Sequence, residues 1–518
     1  MENKSYDAIV IGTGLSGLTA ARVLTESNRN INRVLLLERH TSPGGCLQSF
    51  KRGRDKSWEV GLHYIGKMES GSFVKRLFDY VTGSEVKWKR MEEPFDKIHY
   101  PGLSGEIYGD EDRFEQELIG KFPDEENGIK KYIKDMKKAS VWFTRDYFSM
   151  LLPGFLSTPL RFLNRVLTRE LSMTLKEYLE ANFSSCEARA YISSRWGKLG
   201  IPPAACSFLL HAVVCRHYME GAYYPVGGSN AIVKSITGKI LKTGSEIKTG
   251  YEVERILVDK GKAVGVEACN RDGGVHRFYA GRVVSGIGVY ETVNNLLRDG
   301  VKKPRMKMNG HKLTSSFVMS FLKLKSGVGD LGITPGNIWI YNDYDHDMKT
   351  LNRNLALNTP GSCFMSILPE SCNRDGSCSA TVISTAEYGD FASGMIKGKT
   401  GTRTDRYTEN KEKLGESLIA LIESHYPGFT KYIEYAETGT PLTAKDWLGH
   451  ASGHLYGVAG TPEKYKDPMF KVKTPVKNLY FTGTDITLPG VASALLSGFA
   501  TASVISGSFA FMKLFKKL

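Results

Sequence analysis

Two sets of residues near the start of the chain have the types and spacing that chemistry requires. The first is GTGLSG, in which Gly12, Gly14 and Gly17 form the pattern G-x-G-x-x-G. Glycines in this pattern allow a tight turn, a close approach of the backbone to a pyrophosphate, and close helix–strand packing. Glu38 follows 21 residues after Gly17 and has the chemistry to accept hydrogen bonds from ribose hydroxyls. The pattern therefore predicts a dinucleotide site.

The second set is the stretch WEVGLHYIG, which runs from Trp58 to Gly66. It contains an acid, two glycines, His63 and Tyr64 within nine residues. His63 or Tyr64 would be a candidate general acid if this turn faces a reacting group. A histidine that only caps or packs a turn has the same sequence signature, so these residues alone leave both interpretations open.

A strand–turn–helix–strand segment is needed to position the glycines. The apolar run YDAIVI over 6–11 predicts a strand, LTAARVLTES predicts a helix, and RVLLLE predicts a second strand that ends at Glu38. The free N–H groups of a helix N-terminus directly after the glycines would bind an anion. In this context the glycine pattern is a strong signal, and a chance Gly-rich turn is the weaker alternative.

The whole chain sets wider limits. Its 518 residues predict more than one domain. Its 8 cysteines include no C-x-x-C pair, which predicts neither a disulfide framework nor a metal site and favours a reducing cytoplasm. The formal charge of +14 would attract anionic partners, but no nucleic-acid module is visible, so we expect no nucleic-acid partner. Neither a signal peptide nor an apolar run of membrane-spanning length is apparent.

The segment after Glu38, RHTSPGGCLQSF, places Gly44 and Gly45 in a P-G-G pattern. At this point the chain resembles the flavin-dependent phytoene desaturase, carotenoid isomerase and retinol saturase family, which is related to the amine oxidases. The resemblance implies that the P-G-G segment lies near the diphosphate and ribityl of FAD. It also implies that the turn from Glu59 to His63 lies against the flavin. It covers nearly the full chain and is strongest at both ends.

Two later segments complete the site that the resemblance implies. NLYFTGTDITLPG predicts a strand that ends near Gly483, and the resemblance implies that Asp485 lies near the ribityl and diphosphate. The helix that follows would direct its N-terminus at the flavin pyrimidine. Residues 246–268 predict two strands joined by a Lys-Gly turn, and the resemblance implies that Val253 contacts the adenine through its backbone.

Together these segments predict a mixed α/β architecture, with a Rossmann-type FAD-binding domain of the amine oxidase and phytoene desaturase type and an inserted substrate domain. The FAD-binding domain is predicted to be discontinuous, comprising 1–70, 220–300 and 470–518. Residues 71–219 and 301–469 are predicted to form the substrate-binding and membrane-facing domain. The predicted FAD-binding residues are Gly12, Thr13, Gly14, Leu15, Ser16, Gly17, Glu38, Arg39, Gly44, Gly45, Gly61, Val253, Gly483, Asp485 and Val491.

Four stretches favour the retinol saturase branch: GGCLQSF, GLHYIG, HYMEGAYYPVGGSNAIV and the Gly-His-rich LGHASGHLYGVAG. The resemblance then implies that reduced FAD transfers hydride from N5 to one carbon of a polyene C=C bond, while a side chain or water protonates the next carbon. His63 and Tyr64 are the candidate acids, and Tyr223 and Tyr224 are candidate tunnel residues. A desaturase or carotenoid isomerase is the main alternative, followed by an amine oxidase and a non-catalytic flavoprotein.

The expected partners follow from this chemistry. The substrate would be an apolar polyene, and the electron donor is unknown because no second G-x-G-x-x-G is present. Residues 141–167 mix large apolar side chains with isolated arginines, and the tail 508–518 is basic and amphipathic. Segments of this kind bind the interface of anionic membranes. We therefore expect a cytoplasmic protein with peripheral membrane contact; helices over a substrate cavity and a solvated tail are the alternatives.

Overall fold

The computed structural model describes residues 5–27, 31–53, 56–166, 169–297, 308, 310–346, 360–395, 402–507 and 515. The strands in the described residues are β1 Ser5–Tyr6, β2 Ala8–Ile11, β3 Val34–Glu38, β4 Ser49–Arg52, β5 Lys56–Glu59, β6 Trp88–Arg90, β7 Asp96–Tyr100, β8 Leu103–Ile107, β9 Tyr223–Pro225, β10 Glu246–Thr249, β11 Tyr251–Asp259, β12 Lys262–Asn270, β13 Val275–Ala280, β14 Val283–Ser285, β15 Ser316–Leu324, β16 Gly336–Tyr341, β17 Ser362–Ile367, β18 Cys378–Ala386, β19 Ile433–Gly439 and β20 Leu479–Phe481.

The α-helices in the same residues are α1 Leu15–Ser27, α2 Phe73–Thr82, α3 Glu111–Lys121, α4 Glu126–Leu151, α5 Gly154–Val166, α6 Leu175–Asn182, α7 Cys186–Ser193, α8 Phe208–His217, α9 Ser229–Leu241, α10 Val289–Glu291, α11 Gly389–Ala392, α12 Asp405–His425, α13 Pro441–Leu448, α14 Pro462–Lys466 and α15 Val491–Ser506. Helices and sheets alternate along the chain, which confirms the predicted mixed α/β architecture.

A five-stranded parallel sheet carries the glycine-rich turn. Its strand order is β10-β3-β2-β14-β20, so strands from both ends of the chain meet in it. All four residues of β2 are buried, as is the apolar run of β3. Strands that are covered on both faces require such continuous apolar runs. The carboxyl ends of β2, β14 and β20 therefore lie side by side at one edge, where the loops that follow them meet.

Two glycines allow helices to pack very closely at this edge. A Cβ at Gly17 would lie 2.3 Å from the carbonyl oxygen of Gly12, so only glycine fits at the start of α1. A Cβ at Gly498 in α15 would lie 2.3 Å from the carbonyl oxygen of Ser16. The missing side chains thus bring α15 against α1, and both helices begin at the same edge of the sheet.

The structure corrects two predicted strand boundaries. The run predicted as one strand over 6–11 is split at Asp7, whose carboxylate accepts the N–H groups of Asn32 and Arg33 at 2.8 and 2.9 Å. The segment 246–268 likewise contains three strands, because Gly250 at φ 74° separates β10 from β11. Only β11 and β12 form the predicted hairpin, in a four-stranded sheet of order β1-β13-β12-β11.

A seven-stranded sheet of order β19-β15-β18-β17-β16-β7-β8 forms the second layer. Alternate residues of its strands point to opposite faces. Val318, Ile340 and Met365 belong to a core on one face that includes residues of α12. Phe317 and Phe364 point the other way, into a cavity. The alternation along each strand therefore places core residues on one face of the sheet and cavity-lining residues on the other.

A helical layer between β8 and β9 covers the region near that cavity. In it α4 packs against α5 and α8. Phe155 and Phe162 of α5 are largely exposed, at 77% and 67%. No helix within the described ranges is both long enough and apolar enough to cross a membrane. Of the predicted membrane-binding tail 508–518, only Phe515 lies within the described residues.

Candidate active site

The turn between β2 and α1 is closed by the acid at the end of β3. Glu38 Oε2 accepts hydrogen bonds from the N–H and the hydroxyl of Thr13, at 2.9 and 2.6 Å. Its other oxygen accepts the N–H of His40 at 2.9 Å. Glu38 is therefore hydrogen-bonded to the glycine-rich turn itself, and its contact with a ribose stays a prediction.

A cleft of about 900 Å³ begins at this turn. The predicted FAD-binding residues in its lining are Gly14, Leu15, Ser16, Gly44, Gly61, Gly483, Asp485 and Val491. Gly12, Thr13, Gly17, Glu38, Arg39, Gly45 and Val253 lie outside the lining. Of the outlying residues, Arg39 donates to the carbonyl of Asp446 at 2.9 Å, and Val253 is buried in β11. The two ends of the chain thus meet around one cleft.

The residues of this cleft fit a dinucleotide with a diphosphate. A Cβ at Gly14 would meet no atom within 4 Å, so the backbone there borders open space. Gly14 is also bridged to Gly44, whose N–H donates to the carbonyl of Thr13 at 3.1 Å. The first residues of two helices, Leu15 of α1 and Val491 of α15, line the same space. Helix N-termini stabilise anions, and no Lys or Arg is needed in the lining for that purpose.

Asp485 connects three segments at the cleft. One carboxylate oxygen accepts the N–H of Val289 and the other accepts the N–H of Val458, each at 2.7 Å. The buried ammonium of Lys464 lies 3.9 Å from the same carboxylate. Asp485 thereby holds the loop after β14 and the Gly-His-rich segment in place, and a direct contact with the cofactor stays a prediction.

The Gly-His-rich segment is part of the cleft, a position that its sequence did not indicate. His450 and His454 line the cleft with their rings stacked, 4.6 Å apart and inclined by 10°. His454 Nε2 lies 3.3 Å from Glu291, another lining residue. Burial lowers the pKa of His454 to about 3 and, together with the charge of Asp485, raises the pKa of Glu291 to about 7. At neutral pH His454 is therefore uncharged, and Glu291 is about half protonated.

An apolar cavity of about 810 Å³ adjoins the cleft. The two share Cys46, Gly61, Leu455 and Tyr456 as lining residues. Cys46 has an exposed surface at this junction and carries a free thiol. The other large lining side chains are Trp196, Phe317, Met319, Trp339, Tyr341, Phe364 and Ile383. A long apolar molecule fits such walls, and one end of it would reach the cleft.

His63 stands in the wall between this apolar cavity and a more polar one of about 860 Å³. Its Nδ1 lies 3.0 Å from the hydroxyl of Ser366, and its ring meets Phe364 edge-on at 5.0 Å. Burial and the nearby charge of Lys198 lower the pKa of His63 to about 3. The imidazole is therefore neutral at physiological pH. A position of His63 against the flavin and a role in proton transfer both stay predictions.

The polar cavity contains two further residues of interest from the sequence. Glu59 accepts the N–H of Ser229 at 2.6 Å, and burial raises the pKa of this carboxyl group. Tyr224 lines the same cavity. Tyr223 instead pairs through its backbone with Ile65 and is absent from the linings of the apolar and polar cavities. The turn that begins at Glu59 thus borders both cavities.

Tyr64 points away from the apolar cavity and into a buried polar cluster. Its hydroxyl lies 2.8 and 2.7 Å from the two carboxylate oxygens of Asp96. Lys198 Nζ lies 3.1 Å from Asp96 and also donates to the Tyr64 hydroxyl. Unlike Tyr64, Lys198 lines the apolar cavity. Sequence analysis missed Lys198 because RWGKLG matches no motif, and a lysine among apolar residues was the only available signal.

Comparisons with known proteins agree with this geometry. Residues 10–81 match the model of the NAD(P)-binding Rossmann-like domain. The chain is 30% identical to all-trans-retinol 13,14-reductase of Danio rerio, over 97% of this chain and 86% of the relative. It is 28% identical to chloroplastic prolycopene isomerase of Arabidopsis thaliana, over 98% and 84%.

Among solved structures, a putrescine oxidase bound to putrescine superposes with a TM-score of 0.63 at 14% identity, covering 99% of both chains. The cyclohexylamine oxidase from Brevibacterium oxydans IH-35A gives 0.62 at 13% identity, covering 99% of this chain and all of the other. At such identities these structures show the fold alone. The predicted amine-oxidase type of Rossmann fold is thereby confirmed.

Proposed function

Because this chain belongs to the family of the all-trans-retinol 13,14-reductases and prolycopene isomerases, we propose that it is an FAD-dependent oxidoreductase that saturates a C=C bond of an apolar polyene. The family predicted from the sequence is confirmed, and the members of this family are oxidoreductases and isomerases. FAD, the polyene class and the direction of the reaction are parts of the proposal.

One observation carries the proposal: the apolar cavity and the nucleotide cleft share a wall made of Cys46, Gly61, Leu455 and Tyr456. A polyene in the first and a dinucleotide in the second would meet at these residues. Only a substrate without strong polar groups suits the aromatic side of the seven-stranded sheet. Bound FAD would supply the two-electron chemistry, while the protein binds and orients the substrate and excludes water.

We assign the cofactor to the cleft by its chemistry. Gly14 and Gly44 leave room for a diphosphate, which the N-termini of α1 and α15 would stabilise. In this proposal Glu38 would accept hydrogen bonds from the ribose hydroxyls. The strand order of the parallel sheet, which joins β2, β14 and β20, supports the proposed discontinuous cofactor domain of 1–70, 220–300 and 470–518. The remaining segments, 71–219 and 301–469, would bind the substrate.

Peripheral membrane contact is a further part of the proposal. An apolar polyene partitions into bilayers, so an enzyme that acts on one gains from binding there. Phe155 and Phe162 are the most exposed of the large apolar side chains of α5, and Leu156 and Leu163 are exposed beside them. The formal charge of +14 would favour an anionic surface. These features support a lipid-facing role for α5.

Carotenoid isomerisation is the second candidate, because a prolycopene isomerase is also among the relatives and would use the same two compartments. An amine oxidase is less well supported. The cavity has the ammonium of Lys198 in its wall, which would repel a protonated amine. The structural similarity to putrescine oxidase shows the fold and gives no information on the substrate.

The deciding experiment is a single turnover without oxygen. Purified protein would be loaded with FAD, reduced with dithionite, and mixed with all-trans-retinol, a cis-carotene or phytoene in detergent. The proposal expects flavin reoxidation together with loss of the polyene's long-wavelength absorbance. Isomerisation without flavin reoxidation would favour the second candidate, and peroxide release from amines in air would favour the third. Protein that binds no FAD would refute all three.

A further inference from the structure

Lys198 places a buried amine in the wall of the apolar cavity, where the proposed reaction needs a proton. We propose that Lys198 is the proton donor, delivering a proton from Nζ to the alkene carbon next to the one that receives hydride. This inference rests on the proposed function and identifies the acid within the same site.

The position of Lys198 is the first argument. It belongs to a short helical turn, Trp196–Leu199, that leads from the helical layer to the cavity. Lys198 lines the cavity together with Gly61 and Cys46, which also line the nucleotide cleft. Within the lining of the apolar cavity, Lys198 is the only residue with a basic amine or guanidinium group. Lys198 is therefore a wall residue of the compartment that adjoins the cofactor end, and its Nζ lies 5.4 Å from the ring of Trp339, another residue of that wall.

The surroundings of Nζ hold it in a fixed place. Asp96 Oδ2 lies 3.1 Å away, and the other oxygen of Asp96 accepts the Asn337 side-chain amide at 2.9 Å. The ring centroids of Tyr64, Tyr218 and Trp339 lie 4.1, 4.9 and 5.4 Å from Nζ. Aromatic faces at such distances stabilise a cation. An ammonium thus has several partners here although it is buried.

Burial also makes this ammonium more acidic. The pKa of Lys198 is lowered well below its usual value by burial, and the pKa of Asp96 is raised to about 7 by burial. The attraction between the two groups at 3.1 Å opposes both shifts. The other titratable groups around the pair are Tyr64, Tyr218, Tyr341, His63, His217, Arg195 and Cys215. An acid with a pKa near the working pH is the most effective proton donor.

The step balances with Lys198 as the acid. The reduced FAD of the proposed function would supply the hydride, and with it both electrons, for a new C–H bond at the first carbon. One N–H bond of Lys198 breaks, and its proton forms a C–H bond at the neighbouring carbon as the π bond is lost. Lys198 is left as a neutral amine, and a proton from water restores the ammonium before the next turnover.

The two candidates from the sequence are less suited to donate this proton. His63 is neutral, and its Nδ1 is engaged with Ser366. The Tyr64 hydroxyl is directed at Asp96 and lies outside the cavity lining. In this proposal Tyr64 is a positioning residue for Lys198 and His63 is a wall residue between two cavities.

The first test needs neither FAD nor substrate. Unfolding of the wild-type apoprotein and of Lys198→Met is compared at a series of pH values from about 8 to 10, above the range in which Asp96 titrates. A lysine whose pKa is lowered on folding costs stability below its unfolded pKa, and this cost disappears as the pH rises towards that value. As the pH rises, the folding equilibrium constant of the wild type should therefore increase relative to that of Lys198→Met by up to about tenfold per pH unit. A difference in unfolding free energy between the two proteins that stays constant across the pH series would overturn the inference.

The second test measures proton delivery in the FAD-loaded enzyme. Lys198→Ala should bind FAD and accept electrons from dithionite as the wild type does, but reoxidation by the polyene should slow by roughly 10²–10⁴-fold. Added ethylamine should restore part of the rate, since it fits the space left by the side chain. The extent to which the rate is restored should change when a weaker amine base replaces ethylamine. Lys198→Arg keeps the charge, but its guanidinium is a far weaker acid than an ammonium, so it should remain slow.

The outcomes separate the two proposals. If the wild type reacts with the polyene and Lys198→Ala reacts equally fast, the role of Lys198 is refuted and the proposed function stands. A fast Lys198→Arg variant would show that only the charge matters, which also refutes proton donation. If the wild type binds FAD but oxidises no polyene, the proposed function fails, and this role fails with it.

Discussion

The nucleotide cleft and the apolar cavity are neighbours, but they are built in different ways. The cleft is bordered by glycine backbone and by two helix N-termini, and its acids Glu38 and Asp485 are bonded to the protein's own N–H groups. The cavity is bordered by large side chains from distant strands, and its polar cluster depends on Tyr64 and Asp96. A site made of backbone tolerates few changes of residue type, whereas a site made of side chains can change its specificity by substitution.

The largest expected effect is at Gly14. Gly14→Val places a side chain in open space that the proposed diphosphate needs, so FAD affinity should fall more than about 100-fold, or roughly 3 kcal/mol. The apoprotein should keep its stability because a Cβ there meets no protein atom. FAD content by visible absorbance and thermal unfolding of the apoprotein measure the two quantities.

Gly17→Val is the matched control for this prediction. A Cβ at Gly17 would lie 2.3 Å from the carbonyl oxygen of Gly12, so this variant should destabilise the apoprotein itself by several kcal/mol. If Gly14→Val bound FAD like the wild type, the cleft would not hold the diphosphate. If both variants unfolded alike, the proposed distinction between cofactor contact and packing would be wrong.

Acid should destabilise the protein through a buried histidine behind the wall of the apolar cavity, where the ring of His346 lies 4.8 Å from that of Tyr341. His346, whose two ring nitrogens are 3.0 and 3.2 Å from the hydroxyls of Tyr100 and Ser193, has its pKa lowered to about 3 by burial. The unfolded chain binds a proton near the usual histidine pKa, and the folded chain does not. Stability is therefore complete above about pH 6.5 and falls by up to about 1.4 kcal/mol per pH unit as the pH drops towards 3.

Denaturant unfolding between about pH 7 and 4 tests this slope. For His346→Gln, the slope of unfolding free energy against pH should correspond to one fewer proton taken up on unfolding than in the wild type. This holds whatever the stability of the variant at neutral pH. His276→Gln, on strand β13 of the hairpin sheet and outside the linings of both compartments, serves as a control. An unchanged slope in His346→Gln would contradict the prediction.

Tyr64→Phe should affect the cavity and leave the cleft intact. It removes the hydroxyl that binds both oxygens of buried Asp96, which should cost about 1–3 kcal/mol in unfolding free energy. FAD affinity should remain that of the wild type. Tyr218→Phe keeps the neighbouring ring and serves as the control, with an expected change below about 0.5 kcal/mol. A loss of FAD in Tyr64→Phe would show that the two compartments are coupled through this cluster.

The smallest effect on stability is expected at α5. The double variant Phe155→Ser, Phe162→Ser changes two exposed side chains and should alter unfolding free energy by less than about 0.5 kcal/mol. Its co-sedimentation with anionic vesicles should nevertheless fall several-fold if α5 binds lipid. Val275→Ser, at an exposed position of the hairpin sheet, should leave both quantities unchanged. Equal vesicle binding by both variants would remove α5 from the proposed membrane surface.

The difference between the compartments also explains what the sequence could predict. The glycine-rich turn, β3 and Glu38 are local in sequence, and their spacing reflects backbone geometry that any such site requires. Gly483 and Asp485 were predictable only through the family resemblance, because nothing in their own spacing links them to Gly14. The splits at Asp7 and Gly250 were missed because apolar runs do not show where one sheet ends and another begins.

The cavity residues could not be predicted in the same way. Lys198, Asp96 and Tyr64 are brought together by pairing of β7 and β16 and by the helical turn at Trp196, and no periodic signal connects them. His450 and His454 are similar, since Asp485 and Glu291 hold their segment at the cleft through long-range contacts. The chemistry of a side chain in these places depends on neighbours that only the fold supplies.

The order of strands in the parallel sheet also bears on how the protein matures during translation. β2 is synthesised long before β20 and α15, which close the same cleft. A nascent chain would therefore hold an incomplete nucleotide pocket through most of its synthesis. We therefore expect the cofactor to bind only after α15 has been synthesised.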